Sequence, residues 1–535
     1  MKPKIKLYDT TLRDGAQTEG VSFSIQDKLK ITELLDEIGM HYIEGGWPGS
    51  NPKDTEYFKI MKKKKLHNAR LVAFGSTKRA TIPVGKDPNI KALIEAGTEQ
   101  VNIFCKGWDF HVKEVLKISL EQNLELAYDS MHYLKQYVPD VALGIEHFFD
   151  GYKANPEYVL KIIRTAEEAG AFWVGGADTN GGCLPDEIAS IITEVRKQFD
   201  IFRSIHLHND MGLAVVNTMR AAECGARVLH GTINGLGERC GMTDFCTLIP
   251  NLKLKMGIDC ISDEQLKRLR KVSIIVAEAC NMKVPKYAPY VGTNAFFHKA
   301  GVHVDAILKN PRTYHHIEPE LVGNKYYTAI SELSGKDNIL FLAKEYGIKV
   351  EKTEPKVTEL LHHIKEQENI GFQYEGAEES CYLLFKKYLE NHRSHIKVKK
   401  FSFTMVKGEE EKEVFEEGIS SQTEANVILE IDGSVEKITV NHDRGPIAAL
   451  RKAVLEGVEK HYLNFGELMV TDFKTHVLDY TETGYINRVR VFLEISDLSS
   501  GKKLHTVGAS RDIYTAFLEA LLDGIEYKML KGGSI

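Results

Sequence analysis

No two of the eight cysteines in this 535-residue chain, at positions 105, 183, 224, 240, 246, 260, 280 and 381, form a C-x-x-C pair. That absence gives no sign of a zinc knuckle or a disulfide framework, and a reducing compartment is expected. Long apolar runs are missing as well. The first twenty residues carry no apolar signal core and no stretch reaches the length of a membrane span, so a soluble, cytoplasmic protein without a membrane partner is expected. An excess of one charge is also lacking: 69 Lys and Arg against 75 Asp and Glu give a net charge of −6 with the signs interspersed. The chain therefore has no electrostatic footprint for nucleic acid. Its one basic cluster, residues 62–65, reads as a solvated helix end. A complete dinucleotide fingerprint is absent too. Gly235-x-Gly237 does not sit at the first strand-helix turn, so a nicotinamide cofactor is rejected.

What the chain does have is length and alternation. Its 535 residues allow roughly two to four domains. Strand-like segments at 4–8, 41–44, 70–74, 100–104, 140–145, 172–176, 203–207 and 227–233 alternate with stretches such as 24–38, 155–169 and 213–224, whose apolar residues recur at helical spacing. Strand and helix in turn over about 250 residues predict a parallel eight-stranded (β/α)8 TIM barrel, an α/β fold, over residues 1–257. Helical patterns follow at 263–280 and 296–308, within a linker and lid region expected over 258–394. From about residue 397 the order is three strands and a helix (445–460), then strands near 468–478, 487–495 and 503–507 and a helix (511–530). Two similar halves suggest a duplicated α+β domain over 395–535 with a regulatory or assembly role.

Barrel enzymes carry their chemistry at the C-terminal strand ends, and there this sequence becomes polar. The first strand runs into Thr11-Leu12-Arg13-Asp14-Gly15, the fifth into Glu146-His147, the sixth into Asp178-Thr179, the seventh into His206-Leu207-His208-Asn209-Asp210 and the eighth into Gly235-Leu236-Gly237-Glu238-Arg239. Residues i and i+2 of a strand point to one side, so His206 and His208 offer two imidazoles together while Asp14 brings a carboxylate from another strand. An isolated H-x-H is commonly a packing feature, but this set matches an open catalytic site for a divalent metal ion: Zn, Mn, Co or, less comfortably, Mg. Further along, Phe297-His298-Lys299-Ala300-Gly301-Val302-His303-Val304-Asp305 and Asn310-Pro311-Arg312-Thr313-Tyr314 place His303, Asp305 and Tyr314 outside the barrel, in a segment expected to cover its mouth.

Together these motifs resemble the family of 2-isopropylmalate, homocitrate and citramalate synthases, over essentially the whole chain. Three segments look specifically like the long citramalate subgroup: Tyr42-Ile43-Glu44-Gly45-Gly46-Trp47-Pro48-Gly49-Ser50-Asn51-Pro52, Glu146-His147-Phe148-Phe149-Asp150-Gly151-Tyr152-Lys153 and Ser331-Glu332-Leu333-Ser334-Gly335-Lys336. The resemblance implies an acyltransferase that condenses acetyl-CoA with pyruvate and hydrolyses the thioester, in isoleucine biosynthesis. It implies Asp14, His206 and His208 as metal ligands, Arg13 as stabiliser of the developing alkoxide, and Thr179 as a donor to the substrate carboxylate. Glu146 becomes a site-ordering or proton-handling carboxylate, and His303, with Asp305 and Tyr314 near it, the aid to deprotonating the acetyl methyl group. It further implies a homodimer with isoleucine as feedback effector. Met242 stands where many members have Asn. The alternatives are condensation with 2-oxoisovalerate or 2-oxoglutarate, a carbon-carbon lyase or carboxyltransferase on the same barrel, and a non-catalytic amino-acid sensor.

Overall fold

Eight short parallel strands pair in chain order and close on themselves: β1 (Lys6–Asp9), β2 (Tyr42–Gly46), β3 (Arg70–Ser76), β4 (Gln100–Lys106), β5 (Asp140–Glu146), β6 (Val174–Asp178), β7 (Phe202–Leu207) and β8 (Val228–Gly231). The computed structural model describes residues 4–328, 330–331, 334–407, 421–463, 465, 467–480 and 486–532. Closure comes from β1, which pairs with β2 (Tyr8 opposite Tyr42) and with β8 (Leu7 opposite Leu229). Side chains alternate across the wall. Leu7 joins the large outer core under the helices, whereas Tyr8, Tyr42, Val72, Ala142, Trp173 and Val228 form a separate buried cluster filling the barrel.

The helices begin where the chain carries caps. Ser24 accepts from the Asp27 N–H while Asp27 accepts from the Ser24 N–H, a reciprocal box that starts helix Ile25–Glu37. Asn155 caps Pro156–Glu168, whose Tyr158, Val159, Ile162, Ile163 and Ala166 are buried at three-and-four spacing. The helical region differs from expectation in two places. The stretch 263–280 is two helices, Asp263–Leu266 and Leu269–Ala279, and the stretch 296–308 becomes helical only at Gly301, because Phe297 and His298 pair as strand with Tyr327 and Thr328.

Two compact units emerge, one of residues 1–296 with 316–326, the other of 297–315 with 327–535. In the second, helices Lys336–Glu345, Pro355–Asn369 and Glu378–Leu389 share a core with Val507. Antiparallel strands Ile396–Lys407, Ser421–Ile431 and Ser434–His442 precede helix Pro446–Glu459, and strands Leu468–Tyr480, Ile486–Asp497 and Lys502–Ser510 precede helix Ile513–Gly532. Both halves contribute to one core. The duplicated α+β arrangement is thus present.

Candidate metal centre and active site

The end of β1 is folded by its own polar residues. Asp9 accepts the N–H (2.9 Å) and hydroxyl (3.0 Å) of Thr11, and the Thr10 carbonyl accepts the N–H groups of Arg13, Asp14 and Gly15. This turn lifts Arg13 and Asp14 over the barrel mouth, where Asp14 is 2% exposed. From β7, His206 and His208 point the same way, with Nε2 atoms 3.3 Å apart, and His206 Nε2 lies 3.4 Å from Asp14 Oδ2. One ligand atom from each of the three residues falls within 4.8 Å of the others.

The donor set fits a divalent cation. Burial alone would raise the Asp14 carboxyl, but Arg13 and His206 hold it well below the usual range, so it is ionised. Burial, then His206, lowers His208 to about 4, so its imidazole is neutral. Both are the ligating forms. Asp14 Oδ1 is buried without a hydrogen-bond partner, a costly state for a carboxylate unless a cation satisfies it. Gly237 leaves room there, since a Cβ at that position would stand 3.0 Å from Oδ1. Behind the ligands, His230 places Nδ1 3.4 Å from His206 Nδ1, hydrogen-bonds Ser204 through Nε2 (2.7 Å) and stacks on Tyr8 at 3.9 Å. A proton on His206 Nδ1, donated to His230, leaves the Nε2 lone pair facing Asp14.

Arg13 is fixed from three sides. Its Nε donates to Glu44 Oε1 (2.5 Å), Nη1 donates to Asp14 Oδ2 (2.7 Å), and its guanidinium lies 4.1 Å from the centre of the Phe74 ring. Burial opposes its charge, but Glu44 and Asp14 more than compensate. Glu44 in turn accepts from Tyr8 (2.5 Å) and Thr10 (2.7 Å). Glu146 is ion-paired with Lys106, and the Thr179 hydroxyl oxygen accepts from the His147 N–H at 2.8 Å. Arg13, Asp14, Glu146, Thr179, His206 and His208 all line one cavity of about 310 Å³. Trp47, Phe74 and Phe104 form an aromatic wall there, with ring centres 5.5–5.8 Å apart.

The other three expected site residues belong to the second unit. His303, on helix Gly301–Lys309, packs its ring 4.3 Å from that of Tyr314, and His298 lies 5.9 Å from His303. Asp305 turns instead to Lys309, 2.6 Å away on the same helix. Met242 is buried and bridges backbone to backbone with His208. It is not among the residues lining the cavity.

Sequence reasoning passed over Glu44, His230 and Lys106. Glu44 carried a signal, an acidic residue followed by two glycines at a strand end. Lys106 carried none, since its partnership with Glu146 arises from the β4–β5 register, which sets the two opposite each other.

Comparison with known proteins agrees with this architecture. Residues 4–276 match the HMGL-like family model, 290–371 the homocitrate synthase post-HMGL domain-like model, and 375–529 the LeuA allosteric (dimerisation) domain model. An HMGL-like barrel carrying a candidate metal-binding trio, followed in the chain by a LeuA-type domain, defines the class as an HMGL-like acyltransferase with an allosteric domain. Within that class the chain is 47% identical to the (R)-citramalate synthase of Geobacter sulfurreducens, covering 99% of this chain and 98% of that one. It is 45% identical to that of Aquifex aeolicus (99% of both) and 41% identical to that of Sulfolobus acidocaldarius (98% and 96%). The chain belongs to the (R)-citramalate synthase family.

Proposed function

We propose that this protein condenses acetyl-CoA with pyruvate and hydrolyses the resulting thioester, releasing (R)-citramalate and CoA. The observation that carries the reading is full-length similarity to (R)-citramalate synthases combined with the meeting of Asp14, His206 and His208 in one cavity. Those three residues would hold a divalent cation, which when bound supplies Lewis acidity toward a keto oxygen. The chain's own residues do the rest. Arg13, locked by Glu44 and stacked on Phe74, aims a fixed charge at the oxygen that becomes an alkoxide when the acetyl carbon attacks. Thr179 donates its hydroxyl proton to the substrate carboxylate, and the Glu146–Lys106 pair orders the opposite wall. His303, with Tyr314 beside it, takes the methyl proton before the new C–C bond forms. Water then cleaves the thioester, and the thiol leaves.

Pyruvate is favoured over a dicarboxylic 2-oxo acid because Arg13, already paired with two carboxylates, is the one Lys or Arg among the described lining residues. A second substrate carboxylate would be desolvated without a partner. We further propose that residues 258–394 serve as linker and lid between a catalytic segment 1–257 and a regulatory segment 395–535 that binds isoleucine, and that the enzyme works as a cytoplasmic homodimer. Among the described residues no helix is long and apolar enough to cross a membrane. The test is thiol release from acetyl-CoA with pyruvate, 2-oxoisovalerate and 2-oxoglutarate, each with several divalent metals and with or without isoleucine. Pyruvate should give the highest kcat/KM, and its ranking last would overturn the substrate assignment.

A further inference from the structure

At the opposite end of the barrel, where strands begin, lies a second cavity of about 380 Å³. That end of a barrel ordinarily serves stability alone, and stability gives no reason to crowd like charges together. Yet five cations, Lys4, Lys6, Arg196, Arg203 and Arg227, line this cavity against one carboxylate, Asp200, in a chain whose overall charge is negative. The carboxylate is already taken. Arg196 donates to Asp200 Oδ1 at 2.9 Å and to the Asp200 carbonyl, while Arg203 pairs with Oδ2. Lys6 donates to the neutral hydroxyl of Tyr42 (3.1 Å) and lies over its ring, and Arg227 donates from Nη1 to the carbonyls of Ala222 (3.1 Å) and Ala226 (2.8 Å). Burial, then the charge of Arg196, works against the protonated form of Arg227. Among the described residues Lys4, Lys6 and Arg227 form no ion pair, Asp200 acting on Arg227 only through its field, and two aromatic rings, Phe172 and Trp173, stand beside them.

We infer that the basal cavity is a binding site for a small phosphate-bearing anion. Carboxylate ligands would satisfy one or two of these cations, whereas a phosphate offers three acceptor oxygens and up to two charges to a fork of guanidinium groups. Phe172, 38% exposed, supplies a face on which a base could stack if the phosphate belongs to a nucleotide. The site is also connected to the catalytic one. Trp173 lines both cavities, and its ring meets Tyr42 edge-on at 5.1 Å. Tyr42 lies 5.9 Å from Tyr8, which stacks on His230 behind the metal ligands. An anion in the basal cavity therefore touches the same indole that floors the active site.

Isothermal titration of the full-length protein at low ionic strength with inorganic pyrophosphate and, separately, AMP tests this. One saturable site per chain is expected, weakened at least tenfold by the double substitution Lys4→Glu/Arg203→Glu, both exposed side chains whose replacement leaves the core intact, and weakened similarly by Arg227→Gln. Binding must persist in Asp14→Ala, which separates it from capture of pyrophosphate by a catalytic metal. Tighter binding of AMP than of pyrophosphate would identify a nucleotide as occupant, and the reverse a free phosphate. Absence of saturable binding for both probes, or an affinity unchanged in the double variant, would overturn the assignment.

Discussion

Arg13 shows how one side chain acquires its task from its neighbours. Its charge is held by Glu44 and Asp14, and its plane is held by Phe74, so its remaining N–H groups face the cavity in a fixed direction. A lysine has the charge without the fork, and Arg13→Lys should lower kcat by about 100-fold with little change in fold, read by steady-state kinetics beside circular dichroism. Asp14→Ala should reduce kcat/KM by at least about 1,000-fold and abolish stoichiometric metal in elemental analysis of the purified protein. Full turnover in that variant would remove the metal centre from the mechanism. Asp9 makes a separate prediction about stability. Burial raises its carboxyl to about 7, the two hydrogen bonds from Thr11 notwithstanding, so the folded chain keeps a proton that the unfolded chain has lost above its ordinary value near 3.8. Stability must therefore fall as pH rises from about 4 to about 7, by on the order of 4 kcal/mol, and level off above. Thermal melts across that range should show the slope in the native protein and a flatter line in Asp9→Asn.

At the scale of elements, the loop after β8 carries the most constrained backbone of the site. Gly241 has φ of +81°, and a Cβ there would stand 1.9 Å from the Gly235 carbonyl oxygen, while Asn209 donates to the Gly241 carbonyl at 2.9 Å. Gly241→Ala should cost roughly 1–3 kcal/mol and displace His208 through the adjoining Met242 bridge. A lowered Tm with a weakened metal affinity would show both effects. The barrel strands and helices were legible because alternation and helical spacing are local properties, and the box at Ser24 or the cap at Asn155 can be read from a few residues. Asp14, His206 and His208 were legible because all three lie at or shortly after the C-terminal end of a strand. Glu44 under Arg13, His230 behind His206 and Lys106 opposite Glu146 were not, because they depend on which strand lies beside which and in what register. The helix start at Gly301 escaped for the same reason: two residues of apolar pattern were recruited into a strand pair thirty residues away.

For the molecule as a whole, two compact units imply two thermal events with different sensitivities. A cation on Asp14, His206 and His208 would bind only the folded barrel, so chelation should lower the transition of that unit while leaving the other in place; at a hundredfold excess over Kd the linkage amounts to about 2.7 kcal/mol. Calorimetry with and without chelator reads this directly.

The ring of strands is sewn shut by contacts more than two hundred residues apart: Ile233 donates to the Thr11 hydroxyl oxygen at 3.0 Å, and Gly237 to that of Thr18 at 2.8 Å. Asp14 sits on one side of that stitching and the two histidines just before the other. A chain still emerging from the ribosome consequently cannot assemble the trio until roughly its first half has been made and joined end to end. An ion held by that trio would then enter a finished pocket rather than nucleate its construction, and exchanging one metal for another would need no unfolding.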